Sequence, residues 1–159
     1  MTRKTILSVE EAKKQMENYC SYQERCHQEI ENKLNKMNLI REAKEIIILH
    51  LLEHDFLNEE RFSKAFARGK FRIKKWGKQR IIRELKFRNI SEYNVKSALQ
   101  EIDEDDYIKT FNELTKKRLS NINEKDINKK RKKLVDYLLY RGWESELIYN
   151  KTNELLPYK

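Results

Sequence analysis

His50, Glu53 and His54 spell H-x-x-E-H. On a helix the two imidazoles fall one turn apart on one face, where they can grip a zinc ion while the glutamate serves as base. Hydrolysis at such a centre needs a third, distal ligand and a substrate cleft. Carboxylates are plentiful downstream, but none stands out as that ligand. The pair also sits near the C-terminal end of an apolar helix, where a protonated imidazole is favoured by the helix dipole. No G-x-x-x-x-G-K-[ST] phosphate loop, G-x-S-x-G elbow or cysteine-rich finger occurs. The chain reads as a non-enzyme that holds no metal and no cofactor.

A second chemistry is written in KFRIKKWGKQRIIRELKFRN, residues 70–89, where nine Lys or Arg side chains face the single acid Glu84. Like charge at that density opposes compactness unless an anionic partner lies opposite. The whole chain carries +9, which points to nucleic acid or an acidic protein groove. On a helical wheel Ile81, Ile82 and Leu85 share one side, and Arg80, Arg83 and Phe87 share the other. A later helix repeats the arrangement, with Leu134, Val135, Leu138 and Leu139 inward and Lys133, Tyr137 and Tyr140 outward. Basic and aromatic side chains on one outward face suit stacking and pairing with carboxylates or phosphates. Further basic runs occur at Lys116–Arg118 and Lys129–Lys133, but Glu101 and Asp103–Asp106 put five acids between them and the first stretch. A uniform nucleic-acid track along the molecule is therefore not expected.

The elements that must position these groups are helices. Three Gly and one Pro leave little material for hairpins, and Glu, Lys, Leu, Ile and Arg dominate. Ser8 with Glu11 and Ser21 with Glu24 match the capping box, and Asn58, Ser91 and Asn123 are candidate N-caps. These predict nine helices, near 8–20, 22–37, 41–54, 58–74, 77–88, 91–102, 104–120, 124–141 and 144–155. Cys20 and Cys26 form no disulfide framework and no C-x-x-C pattern. The opening MTRKTILSVEEAKKQ lacks a signal-peptide core, and the apolar run Ile46–Leu49 stops at His50. A cytoplasmic protein that does not enter a membrane is expected.

Nine helices divide by three. Aligning Leu34, Leu85 and Leu138 brings Ile30, Ile81 and Leu134 into register and superposes Asn38, Asn89 and Gly142, followed by Leu39, Ile90 and Trp143. Asn and Gly tolerate the left-handed conformation that ends a helix, and an apolar residue beyond packs back onto it. The expectation is an all-α, elongated, curved array of three tandem three-helix repeats, over residues 1–57, 58–103 and 104–159. The third helix of the first repeat, AKEIIILHLLEHDF, is apolar on most sides, as expected of a helix held between others.

At DFLNEERFSKAFARGKFRIKKWGKQRIIRELKFRNIS the sequence resembles the RecX family of regulatory proteins, which modulate the RecA recombinase. The carrying residues are the acid-rich turn from Asp55, then Arg61, Phe62, Phe66, Gly77, Arg80, Ile81, Glu84 and Leu85. QEIENKLNKMNL and KKRKKLVDYLLYRGW resemble the corresponding helices of the first and third units, so the likeness spans roughly residues 15–152. Asn38 stands where the family usually has Gly, and the turn's acid pair takes the form Asn58, Glu59 and Glu60.

The resemblance implies three three-helix repeats and a protein that lies in the groove of the RecA filament on single-stranded DNA, spans more than one protomer, and limits ATPase, strand exchange and co-protease activity. It also implies weak direct DNA binding, and groove docking suits a monomer. Three modules of helices about 20 Å long could reach on the order of 60 Å. Candidate contacts with the groove wall or its DNA are Arg68, Arg72, Lys74, Lys75, Lys78, Arg80, Arg83 and Lys86, and, as a second set, Lys129, Arg131, Lys132 and Lys133. Phe87, Tyr137 and Tyr140 are candidate anchors. The alternative is a stand-alone DNA-binding protein that acts without RecA.

Overall fold

Several of this chain's turns are fixed by short polar side chains that close helix starts. In the computed structural model, which describes residues 7–158, Ser8 accepts from Glu11 N at 3.1 Å, Asn58 from Arg61 N at 3.0 Å and Ser91 from Asn94 N at 3.2 Å. The described residues form α1 (Val9–Tyr22), α2 (His27–Asn35), α3 (Arg41–Glu53), α4 (Glu59–Arg72), α5 (Lys78–Phe87), α6 (Glu92–Leu99), α7 (Glu104–Asn121), α8 (Ile127–Tyr140) and α9 (Ser145–Leu155), with no strand among them. Of the opening stretch on which the leader expectation rests, residues 1–6 lie outside the described residues.

Two expected caps are not used. Helix α1 runs through Ser21, whose hydroxyl donates back to Glu17 O at 2.8 Å, so this serine is satisfied inside the helix. Helix α2 starts later, where the Glu29 carboxylate accepts from Cys26 N at 3.4 Å and from its thiol at 3.3 Å. Asn123 likewise yields to Asp126, which accepts from both Asn128 N and Lys129 N and starts α8.

The repeat is real in its core positions: Ile30, Ile81, Leu134, Leu34, Leu85 and Leu138 are all fully buried. Its helix ending recurs twice, not three times. Asn89 (φ 59°) and Gly142 (φ 88°) are left-handed, with Ile90 N donating to Leu85 O and Trp143 N to Leu138 O. These are Schellman endings, and each places an apolar residue back on the core, Ile90 5% and Trp143 1% exposed. In the first repeat α2 closes earlier: Lys36 N and Met37 N donate three residues back, and Asn38 has no positive φ. The left-handed residue there is Asp55 (φ 60°), after α3.

Burial separates the row into two bodies. Helices α1–α3 enclose Met16, Ile30, Leu34, Ile47, Leu51 and Leu57, whereas α4–α9 share one core built on Phe62, Phe71, Ile81, Leu85, Tyr107, Phe111, Leu138 and Trp143. Among the described residues of the first repeat only Cys26 joins the larger core. The exposed surface, 10844 Å², exceeds the roughly 8,500 Å² expected of a compact chain of this mass, as befits an elongated row. Helix α3 is not held between others: it buries Ala43, Ile47 and Leu51, and leaves Ile46, Leu49 and Leu52 about half exposed.

The second and third repeats are spliced through backbone. Gly77 N donates to Arg141 O at 2.8 Å and Gln79 N to Gly142 O at 3.0 Å. The approach is so close that a Cβ on Gly77 would lie 2.4 Å from Gly142 O, and one on Gly142 would lie 2.2 Å from Arg80 Cβ. Gly142 is also at positive φ, so alanine there is strained twice over. Beneath the contact Tyr107 packs on Trp143 with ring centroids 4.6 Å apart, and Phe111 on Trp143 at 5.2 Å. The first seam is held by side chains: Arg61 Nε donates to Glu24 at 2.6 Å and Nη1 to Asp55 at 2.9 Å, and His27 N donates to Glu59 at 3.1 Å.

Gly77→Ala and Gly142→Ala should each lower stability by about 2 kcal/mol or more. Because both break one contact, the double variant should cost clearly less than the sum; urea unfolding of the four species checks this, and strict additivity would place the two glycines in separate interactions.

Candidate functional site

The turn from α4 into α5 is fixed before its charges are counted. Lys75 is left-handed (φ 59°), and Trp76 N donates to Lys70 O at 3.1 Å. The carbonyls of this turn are taken up from the third repeat, Lys74 O by Arg141 Nη1 at 2.7 Å and Lys75 O by Trp143 Nε1 at 3.2 Å. With its backbone thus tied inward, the turn presents Arg72, Lys74 and Lys75 to solvent. Helix α5 continues the surface: Ile81 and Leu85 are buried, and Arg83, Lys86 and Phe87 are exposed on the opposite side. These five cations have no ion-pair partner among the described residues, and Phe87, next to Arg83 and Lys86 on α5, is 76% exposed.

The other expected contact residues are partly spent inside the molecule. Arg68 pairs with Glu101 at 3.5 Å, and Lys78 pairs with Glu104 at 2.7 Å while lying over the Tyr107 ring. Lys132 pairs with Asp136 at 2.7 Å and Lys133 with Glu124 at 3.5 Å. The Asp136 hydrogen bond raises the Lys132 pKa. Arg131 donates to Asn153 and to Leu156 O and stacks on Tyr158. Lys129 is exposed and has no ion-pair partner among the described residues. Arg80 is a strut between repeats, donating to Tyr140 O at 3.2 Å with its guanidinium over Trp76 at 4.1 Å and over Tyr140 at 4.7 Å.

On α8 the aromatic pair divides. Tyr140 is 73% exposed, whereas Tyr137 is half-buried between Arg118 and Arg141, each 4.6 Å from its ring. Leu139, expected inward, is 40% exposed, because the buried side chains of α8 are Leu134, Val135 and Leu138. A run of cations over rings therefore crosses both repeats: Arg88 over Phe66 at 4.9 Å, Lys70 over Phe66 and Trp76 at 5.5 and 5.0 Å, then Arg80 and Tyr140. Sequence reasoning named only Arg80 and Tyr140 of this run as site residues. Phe66 and Trp76 carried a signal, since each lies four or six residues from Lys70, but which cation covers which ring depends on how the helices cross.

Where α4 meets the first repeat, an open cavity of about 500 Å³ is lined by Phe62, Ala65 and Phe66 together with Glu24, Glu29, Lys70 and Arg88. Its lining charges balance, so it selects neither anions nor cations. The H-x-x-E-H histidines lie elsewhere: His50 Nε2 is 2.8 Å from Glu17, and His54 Nδ1 donates to His50 O at 3.0 Å. Among the described residues no three His, Cys, Asp or Glu groups are placed to hold a metal ion. No helix among them is long and apolar enough to cross a membrane.

Comparison with known proteins agrees with this architecture. Residues 58–99 match the family model of the RecX second three-helix domain, and residues 104–150 that of the third. The chain belongs to the RecX family. The curated "Regulatory protein RecX" of Clostridioides difficile strain 630 is 25% identical over 92% of this chain and 69% of its own length. That of Lactobacillus gasseri is 29% identical over 57% of this chain, which spans a third (33%) of the relative. Two RecX crystal structures share the fold: one from Lactobacillus salivarius superposes with a TM-score of 0.77 at 22% identity, covering 92% of this chain and 96% of that one, and another reaches 0.78 at 20%.

In this RecX family member the groups whose titration reports on the fold are buried acids of high pKa. Burial pushes the Cys20 and Cys26 thiols up to about 11. Burial, followed by the hydrogen bond to Glu144, also raises the Tyr107 phenol well above its ordinary value. Its hydroxyl accepts from Lys78 N at 2.9 Å and donates to Glu144 at 2.7 Å. Each group binds its proton more tightly folded than unfolded, so its contribution is complete below the unfolded pKa and is lost as pH rises through the folded one. Urea unfolding should therefore show stability falling from about pH 9 upward, and Cys20→Ala/Cys26→Ala should flatten the portion below about pH 11.

Proposed function

We propose that this protein seats its cationic side in the groove of the RecA filament on single-stranded DNA and limits the filament's ATPase, strand exchange and co-protease activities. Family membership supplies the class, a regulator. The observation that carries the finer reading is the set of five unpaired cations on the α4–α5 turn and the outer face of α5, with exposed Phe87 next to two of them, on helices that share one core. An anionic partner satisfies those charges, and the exposed ring gives it an apolar anchor.

No bond is made or broken. A strap that touches neighbouring protomers gains affinity through effective concentration. It also opposes any rearrangement that alters their spacing, because it binds one arrangement better than another. The dry, backbone-bonded seam between the second and third repeats suits it to hold its own shape under that load. The docking unit is the single chain. A reducing, cytoplasmic setting belongs to the same reading, in keeping with two buried free thiols.

The interleaving of cations and rings also favours binding to bare single-stranded DNA, since successive bases stack on aromatic faces and phosphates pair with the intervening charges. The two readings part in one titration. If the filament is the target, affinity for the RecA-coated strand exceeds that for the naked strand at matched salt. If DNA alone is, the naked strand binds as tightly, with a log–log salt slope of about 0.7 per phosphate neutralised.

Arg83→Glu with Lys86→Glu should weaken inhibition of DNA-dependent RecA ATPase by about tenfold or more, at roughly 1 kcal/mol per reversed contact. Helicity and melting temperature should stay at wild-type values, because neither side chain has an internal ion pair. Full inhibition by this variant would remove the α5 face from the interface.

A further inference from the structure

The two ends of the molecule differ in charge. Residues 1–57 carry nine Lys or Arg against ten Asp or Glu, and residues 58–159 carry 26 against 16. The first repeat has its own outward face on α3, unlike the basic one. Glu42, Ile46, Leu49 and Glu53 follow one another at helical spacing, and Glu45 and Leu52 border them, so all six fall within about a third of the helix circumference. All six are exposed, the three apolar ones by 46–55%. Glu42 and Glu53 have no ion-pair partner among the described residues, whereas Glu45 pairs with Arg41.

The outer face of α5 is its complement: an exposed ring, Phe87, flanked by unpaired Arg83 and Lys86. One face is an apolar stripe rimmed by acids, the other an aromatic knob rimmed by bases. Within one chain they do not meet, since both are solvent-exposed. We infer that the α3 face docks a second copy of this chain through that copy's α5 face, Phe87 entering the Ile46–Leu49–Leu52 stripe while Arg83 and Lys86 meet Glu42 and Glu53.

Such a contact is heterologous, so a pair keeps one free face of each kind, α5 on one copy and α3 on the other, and copies line up head to tail. A single helix-on-helix patch lies below the ~1,200 Å² of stable complexes, which makes the association weak and dependent on high local concentration. The α5 face serves the second copy or the proposed anionic partner, one at a time. The inference goes beyond the filament reading and can fail while that reading stands, because its test contains neither RecA nor DNA.

The test is sedimentation equilibrium of the full chain over a wide concentration series at low ionic strength. The wild type should rise in weight-average mass towards twice the monomer or beyond, and less so as salt is added. Glu42→Lys/Glu53→Lys should remain monomeric, and so should Arg83→Glu/Lys86→Glu, each with unchanged helicity. An equimolar mixture of the two variants should regain association, as should the chain that carries all four changes, since the charges are then complementary again. A wild type that stays monomeric throughout overturns the inference. So do variants that associate like the wild type.

Discussion

The structure depends on two glycines meeting without side chains between them. Gly77 at the start of α5 and Gly142 at the end of α8 come close enough for peptide groups of one repeat to bond those of the next. Everything on the basic face inherits its position from that contact. The turn that carries Lys74 and Lys75 is tied by its carbonyls to Arg141 and Trp143, so its ammonium groups point away from the splice. Arg80 is drawn across the joint to Tyr140, which places an α8 ring beside an α5 guanidinium although they are far apart in sequence.

A buried tyrosine completes the arrangement. Tyr107 stacks on Trp143 and Phe71, and its hydroxyl bridges the first amide of α5 and the Glu144 carboxylate at the start of α9. Two helix starts from different repeats thus share one phenol, and both lie in the same layer of the joint.

Much of the fold could be read from local chemistry. Ser8, Asn58 and Ser91 cap because the donor they satisfy lies three residues away, and Asn89 and Gly142 end helices for reasons contained in a six-residue window. Where a motif has two local solutions, spacing could not choose. Ser21 bonds its own helix instead of starting the next, and α2 finishes in a tight turn before Asn38 is reached. The exposed face of α3 was hidden for a different reason: an apolar helix looks the same whether or not a neighbour covers it. At the site, the density of charge was legible but its pairing was not. Arg68, Lys78 and Lys133 are answered by acids 9 to 33 residues away, across helices whose crossing no linear pattern records.

The two joints of the row differ in kind. One is made of peptide hydrogen bonds over a dry aromatic layer. The other relies on the Arg61 guanidinium, clasped by Glu24 and Asp55, with open cavities near it. Guanidinium–carboxylate clasps reform readily after slipping, whereas backbone bonds sealed from solvent do not exchange partners. Strain on such a rod is therefore taken up first at its salt-bridged knuckle, the weaker of its two joints.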